Sequence, residues 1–155
     1  MGRRPIEVRL IPGDIIDGFN EQYRFLSNFW RCDVLYEGIV YPTAEHAYQA
    51  AKSNNKSVRY DIASCRTPGE AKSMGRRIAM AADFNSRRIE VMRVILRSKF
   101  NGNHTLAQKL LATGDRMLVE KNHWNDIYWG VCGNVGENHL GKLLMQIRSE
   151  LRGEC

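Results

Sequence analysis

The sequence predicts a mainly helical α+β domain with a small β-sheet. Three observations carry that expectation. Helix start signals recur along the chain (Thr43, the run Thr67-Pro68-Gly69-Glu70, Asn103 and Asn138). Apolar residues then follow at helical spacing, whereas alternating stretches are short and few. The composition, 43% hydrophobic and 26% charged over 155 residues, is that of an ordinary globular chain.

Taken in order, Ile6-Glu7-Val8-Arg9-Leu10-Ile11 alternates as a strand does, and Pro12-Gly13 ends it. Residues 33–41 read as two short strands around Glu37-Gly38, a hairpin that Pro42 should stop. Thr43 is placed to cap a helix over about 44–54, and a second helical stretch covers 56–64. At Thr67 the signal is stronger. Thr67 caps, Pro68 takes the first helical position, and Glu70 completes a capping box for a helix running to about Met80. Residues 86–100 form an amphipathic helix with Ile89, Met92, Val94, Ile95, Leu96 and Phe100 on or near one face. Asn103 caps a helix that Thr113-Gly114 ends, Met117-Leu118-Val119-Glu120 is a short strand, and Asn138 caps the last helix. Without repeats, low-complexity stretches or a Pro/Ser-rich linker, the expected organisation is one domain over residues 1–155.

Composition also limits the function. No apolar run approaches the ~20 residues that cross a bilayer, and the N-terminal residues lack the apolar core of a signal peptide, so the expected setting is the cytoplasm. Cys32, Cys65, Cys132 and Cys155 contain no C-x-x-C pair and the four histidines no H-x-x-x-H pair. A zinc site and a disulfide framework are therefore not expected. Residues 66–109 hold ten Lys or Arg against three acids, a local +7 in a chain whose total is +6. Such a segment fits an anionic partner, either nucleic acid or a phosphorylated small molecule, and equally a solvated helix face.

Three clusters concentrate polar chemistry. The first, Tyr23-Arg24-Phe25-Leu26-Ser27-Asn28-Phe29-Trp30, sets Arg24, Ser27 and Asn28 among aromatics. In the second, Tyr41 to Lys52, the residues Glu45, Gln49 and Lys52 fall at i, i+4 and i+7 and share one helix face. Its alanines keep the helix slim, so neighbours can approach. The third, Glu120 to Gly133, gathers Trp124, Asp126, Tyr128 and Trp129 before glycines that allow a tight bend. Exposed aromatics beside a carboxylate suit a flat heterocycle. Gly133, Gly136 and Asn138 then lead to a helix N-terminus able to receive phosphate.

The ordered set of these stretches resembles the YbiA-like, or NADAR, domain family over roughly residues 20–152. The matching runs are Phe25-Leu26-Ser27-Asn28-Phe29, Tyr41-Pro42-Thr43-Ala44-Glu45-His46-Ala47-Tyr48-Gln49-Ala50-Ala51-Lys52, Glu70-Ala71-Lys72-Ser73-Met74-Gly75-Arg76-Arg77, Trp124-Asn125-Asp126-Ile127-Tyr128-Trp129-Gly130 and Asn138-His139-Leu140-Gly141-Lys142-Leu143-Leu144-Met145-Gln146-Ile147-Arg148. One departure is Phe84, where many members would carry a tryptophan.

The resemblance implies an N-glycosidase of ribosylated bases, with no metal or organic cofactor. Its substrate is then a phosphorylated riboflavin-pathway intermediate that releases ribose 5-phosphate, or ADP-ribosylated guanine of nucleic acid. A non-catalytic module binding ADP-ribose is the rival class. Breaking a ribosyl C1′–N bond develops positive charge on the sugar and negative charge on the departing base. The carboxylate candidates are Glu45 and Asp126. Lys52 is suited to donate to the leaving group, to bind phosphate, or to attack C1′ of the opened sugar. Trp129 and Trp124 are candidates to stack on the base, Arg76, Arg77 and Arg148 to hold phosphate, and Arg24, Ser27, Asn28, Gln49 and Asn138 to complete the binding set.

Overall fold

A computed structural model describes residues 12–154. Among the described residues six α-helices surround one core, and the strands form three separate two-stranded pairings rather than one small sheet. The strands are β1 (Ile15–Asp17), β2 (Arg31–Tyr36), β3 (Ile39–Thr43), β4 (Met117–Val119), β5 (Lys121–Asn122) and β6 (Val131–Cys132). The helices are α1 (Ala44–Ala51), α2 (Lys56–Ala63), α3 (Pro68–Arg77), α4 (Phe84–Asn101), α5 (His104–Ala112) and α6 (His139–Leu151). The expected strand over residues 6–11 lies outside the described residues. Among those described, no helix is long and apolar enough to cross a membrane.

The hairpin forms as its sequence dictates. Glu37 and Gly38 both take positive φ, 44° and 83°, as a two-residue turn between twisted strands requires. Val34, Tyr36, Ile39 and Tyr41 point into the core, while Leu35 and Val40 face out. Pro42 does not stop the sheet; it lies inside β3. Among the described residues β3 pairs only with β2, and the register is irregular between Arg31 and Val34, across from Pro42, so the missing N–H breaks no regular ladder.

Helix α1 starts on Thr43, whose Oγ1 accepts the His46 N–H at 3.1 Å. It ends at Ala51, short of the expected residue 54, because Asn55 starts α2: its Oδ1 accepts from Ser57 N at 2.8 Å. His46 is fully buried and committed, with Nδ1 2.7 Å from Thr43 Oγ1 and Nε2 2.9 Å from the Cys65 carbonyl. At α3, Thr67 caps through the Glu70 N–H. Glu70, however, reaches past Thr67 and accepts from Arg66 N at 2.9 Å. α3 stops at Arg77 rather than near Met80, since Ile78 is extended and the Ala81 N–H donates to the Lys52 carbonyl at 2.8 Å.

The core gathers under these elements. Tyr41, Phe84, Ile95, Leu96 and Phe100 are almost wholly buried, and α1 packs on α2, α3 and α4 through its alanines. Val94, expected on or near the apolar face, is exposed. β1 pairs in parallel with β4, bringing the start of the described chain beside the segment that enters the third polar cluster.

Candidate active site

Four stretches supply the polar wall of one cavity of about 1230 Å³, and Leu140 of α6 adds an apolar side. The segment after β1 contributes Arg24, Ser27 and Asn28. From α1 come Glu45, Tyr48 and Gln49, with Lys52 at its C-terminal cap, and from α3 Lys72 and Arg76. The segment after β4 supplies Glu120, Trp124, Asp126 and Trp129. A second cleft of about 320 Å³, lined by Asp17, Tyr23 and Arg116 among others, contains none of the residues expected from sequence.

Glu45 lies in the first turn of α1 and is buried. Its backbone N–H donates to the Asn28 carbonyl at 3.0 Å, which ties the helix start to the Ser27-Asn28 loop. Gln49 Nε2 donates to Glu45 Oε1 at 2.8 Å. Burial pushes the Glu45 carboxyl above its usual range, while the Gln49 bond and the Lys72 and Lys52 charges pull it back. Lys52 is held below the ordinary lysine range, first by burial and then by Arg76 and Lys72; Glu45 opposes that shift.

Glu120 opens the third polar cluster, but sequence reasoning did not name it as a site residue. It follows β4 directly and is pushed up to about 7, first by burial, then by the nearby Asp126 and Glu45 carboxylates. Its Oε2 is buried with no hydrogen-bond partner among the described residues, as is Asn28 Oδ1. Lys72 was also missed as a site residue, although it precedes Arg76 by four positions and so shares its helix face.

Trp129 is fixed by edge-on neighbours, Tyr48 at 5.5 Å and Tyr128 at 5.0 Å between ring centroids. Arg88 stacks on the far partner, 3.5 Å from the Tyr128 ring centroid. Trp124 is 54% exposed at the cavity rim, against His123. Asp126 braces its own loop. Its Oδ1 accepts the Tyr128 and Trp129 N–H groups at 3.1 and 2.9 Å, closing the turn that carries Trp129. Gly130 lies in the bend after Trp129 but does not take positive φ. A Cβ there would sit 2.7 Å from Glu120 Cγ, so the glycine admits close approach beneath Glu120.

Three expected binding residues lie outside the cavity. Arg77 is one position, about 100°, round α3 from Arg76 and faces solvent. Arg148 is buried on α6 and donates to Thr113 Oγ1 at 2.8 Å, tying α6 to the end of α5. Asn138 occupies the N-cap position of α6, but its side chain makes no capping bond and does not meet the cavity. Its Oδ1 accepts the Glu120 N–H at 3.0 Å and its Nδ2 donates to the Leu118 carbonyl at 2.9 Å, a brace across the end of β4. The α6 N-terminus does not receive phosphate either, because the His139 and Leu140 N–H groups already donate to the Tyr128 and Trp129 carbonyls.

The pattern of the NADAR domain matches residues 17–152, nearly all of the described chain. The chain belongs to the NADAR domain family. Its NADAR relatives include a riboflavin biosynthesis protein of Vibrio vulnificus, 38% identical over 136 residues, covering 86% of this chain and 37% of that longer protein. The N-glycosidase YbiA of Shigella boydii is 38% identical over 135 residues, covering 85% of this chain and 84% of the relative. The NMR structure of Escherichia coli YbiA superposes with a TM-score of 0.81 at 35% identity, over 92% of this chain and 88% of that one. The NADAR fold is therefore the α+β fold of YbiA.

Proposed function

We propose that this chain, an N-glycosidase by family, hydrolyses the C1′–N bond of a phosphorylated ribosylaminopyrimidine of the riboflavin pathway and releases ribose 5-phosphate. The observation that carries the reading is the facing of carboxyl groups and cations across one cavity. Glu45 and Glu120 stand with the Lys52, Lys72 and Arg76 charges nearby, and Trp129 provides an aromatic wall. The riboflavin assignment draws on the names of the relatives, among them the Vibrio vulnificus and YbiA proteins.

The two carboxyl groups divide the work through their surroundings. Glu45 is raised by burial, but the Gln49 N–H and the Lys72 and Lys52 charges beside it favour its carboxylate, so it takes the part of the base. Glu120 has no such donor on Oε2, and burial beside the Asp126 and Glu45 carboxylates raises it to about 7, so it takes the part of the acid. As the C1′–N bond breaks, the Glu120 proton passes to the departing amine nitrogen. A water oxygen bonds to C1′ and its proton passes to Glu45. The products are a free aminopyrimidine and ribose 5-phosphate. Lys52, Lys72 and Arg76 hold the phosphate, and Trp129 stacks on the ring.

Release of ribose 5-phosphate from a ribosylaminopyrimidine phosphate by the purified chain tests the reading. Borohydride present during turnover should trap no adduct; reductive trapping on Lys52 would replace water attack with a Schiff base. Binding without sugar release would leave the non-catalytic module. A second reading, removal of ADP-ribose from guanine in nucleic acid, draws on the cavity size, which exceeds the roughly 300–1,000 Å³ of small-molecule sites, and on the exposed Phe29 and Trp124 at its rim. Turnover of ADP-ribosylated oligonucleotide, and not of the pyrimidine, would select it.

A further inference from the structure

We propose that Gly75 and Gln49 act as one positioning device for Glu45: the bare Cα of Gly75 seats the Gln49 amide so that its N–H reaches the Glu45 carboxyl. Gln49 faces the cavity wall from the spacing of α1, which gives a substrate-binding role. Its geometry gives another. The side chain is 4% exposed, and its Nε2 is occupied by Glu45 Oε1 at 2.8 Å. Its Oε1 has no hydrogen-bond partner among the described residues and is turned against α3. A Cβ built on Gly75 would overlap that oxygen and lie 2.7 Å from Gln49 Cδ and 3.1 Å from Gln49 Cβ.

Gly75 is buried inside α3, in a helix position that alanine would favour. Helical conformation therefore does not require glycine there; the close approach of Gln49 does. Among the described residues, the Gln49 amide supplies the one side-chain hydrogen bond to Glu45. The charged and titratable groups facing Glu45 act on it through space: Tyr48 from its own helix, Lys52 from that helix's C-terminal cap, Lys72 from α3, and Glu120 and Asp126 from the segment after β4. A small outward shift of Gln49 would leave all of these in place and remove the one directed contact.

The inference rests on Glu45 as the reacting carboxylate, and the test separates the two claims. Gly75→Ala, Gln49→Ala and the double variant of the full chain are compared with wild type. The Glu45 carboxyl is titrated by NMR with glutamate carboxyl carbons labelled, its signal identified by its loss in Glu45→Gln. Both single variants should titrate at higher pH than wild type, because the donor that favours the carboxylate is lost. Their kcat/KM should fall roughly 10- to 100-fold, the scale of one hydrogen bond to a charged group, mainly through kcat. The double variant should match Gln49→Ala alone, since the alanine methyl then has no amide to displace.

An unmoved Glu45 titration in Gly75→Ala, or additive effects in the double variant, overturns the device. If Gly75→Ala alone fails to fold, a folded double variant matching Gln49→Ala supports it and an unfolded one overturns it. A shifted titration with undiminished kcat/KM leaves the device standing and removes Glu45 from the chemistry.

Discussion

Lys99 Nζ, wholly buried within α4, donates to the Ser27 carbonyl at 2.9 Å. This ammonium anchors the peptide just before Asn28, whose Oδ1 is buried without a partner among the described residues and whose carbonyl receives the Glu45 N–H. Burial lowers Lys99 to about 8 from the ordinary 10.5. Between these values the unfolded chain binds a proton that the folded chain does not, so stability rises with pH across about 8 to 10.5. Lys99→Met should lack that rise. Its unfolding free energy relative to wild type should change by up to roughly 3 kcal/mol over the window, read by urea denaturation. A constant difference would mean that Lys99 titrates normally.

Glu120 has the opposite sign. Its carboxyl is raised to about 7 from 4.5, so the folded chain binds the extra proton and stability falls as pH rises through that interval. Glu120→Gln should be more stable than wild type above pH 7, by up to roughly 3 kcal/mol, and should lose that advantage below pH 4.5. Turnover should drop at least ~10²-fold, and the decline of wild-type kcat/KM above pH 7 should disappear. Thermal melts and rate profiles over one pH series check both.

Glu45→Gln should also keep the fold while turnover falls at least ~10²-fold. Burial already disfavours the ionised carboxyl, so a neutral isostere relieves that strain and the melting temperature should not fall. Near-normal turnover would assign the sugar-side charge to another group.

Arg76 and Arg77 offer a matched pair. Arg76 lines the cavity with Lys72 and Lys52, whereas Arg77 faces away. Competitive inhibition by ribose 5-phosphate should weaken about tenfold in Arg76→Ala, a loss of about 1.4 kcal/mol, and stay unchanged in Arg77→Ala. Equal effects of the two would move the phosphate out of this cavity.

Asp126 should behave as a brace. Asp126→Ala removes the acceptor for the Tyr128 and Trp129 N–H groups and should lower stability by about 1–2 kcal/mol, the scale of a lost cap, with activity falling alongside. Asp126→Asn keeps the Oδ1 acceptor and should keep most of both. Activity lost in Asp126→Asn at unchanged melting temperature would return Asp126 to the reacting groups.

Local signals were legible in the sequence. Thr67-Pro68-Gly69-Glu70 marks the α3 start because capping is decided within four residues, and the shared face of Glu45, Gln49 and Lys52 follows from helical spacing alone. Glu120 was not legible, because its burial depends on the β1–β4 pairing and on Asn138, both distant in sequence. Asn138 resembles a cap in every local respect, yet its side chain is taken by the end of β4. The different fates of Arg76, Arg77 and Arg148 depend on which face of α3 and α6 meets the core, a matter settled by packing.

The parallel pairing of Ile15–Asp17 with Met117–Val119 has a consequence for synthesis. It joins segments about a hundred residues apart, a loop closure that comes late for a chain emerging from the ribosome. Until residues 117–140 are released, Glu45 and Lys52 stand on an open wall without Glu120, Trp129 or the Asn138 brace. The cavity of a nascent chain therefore lacks one of its walls and is completed only when that segment docks.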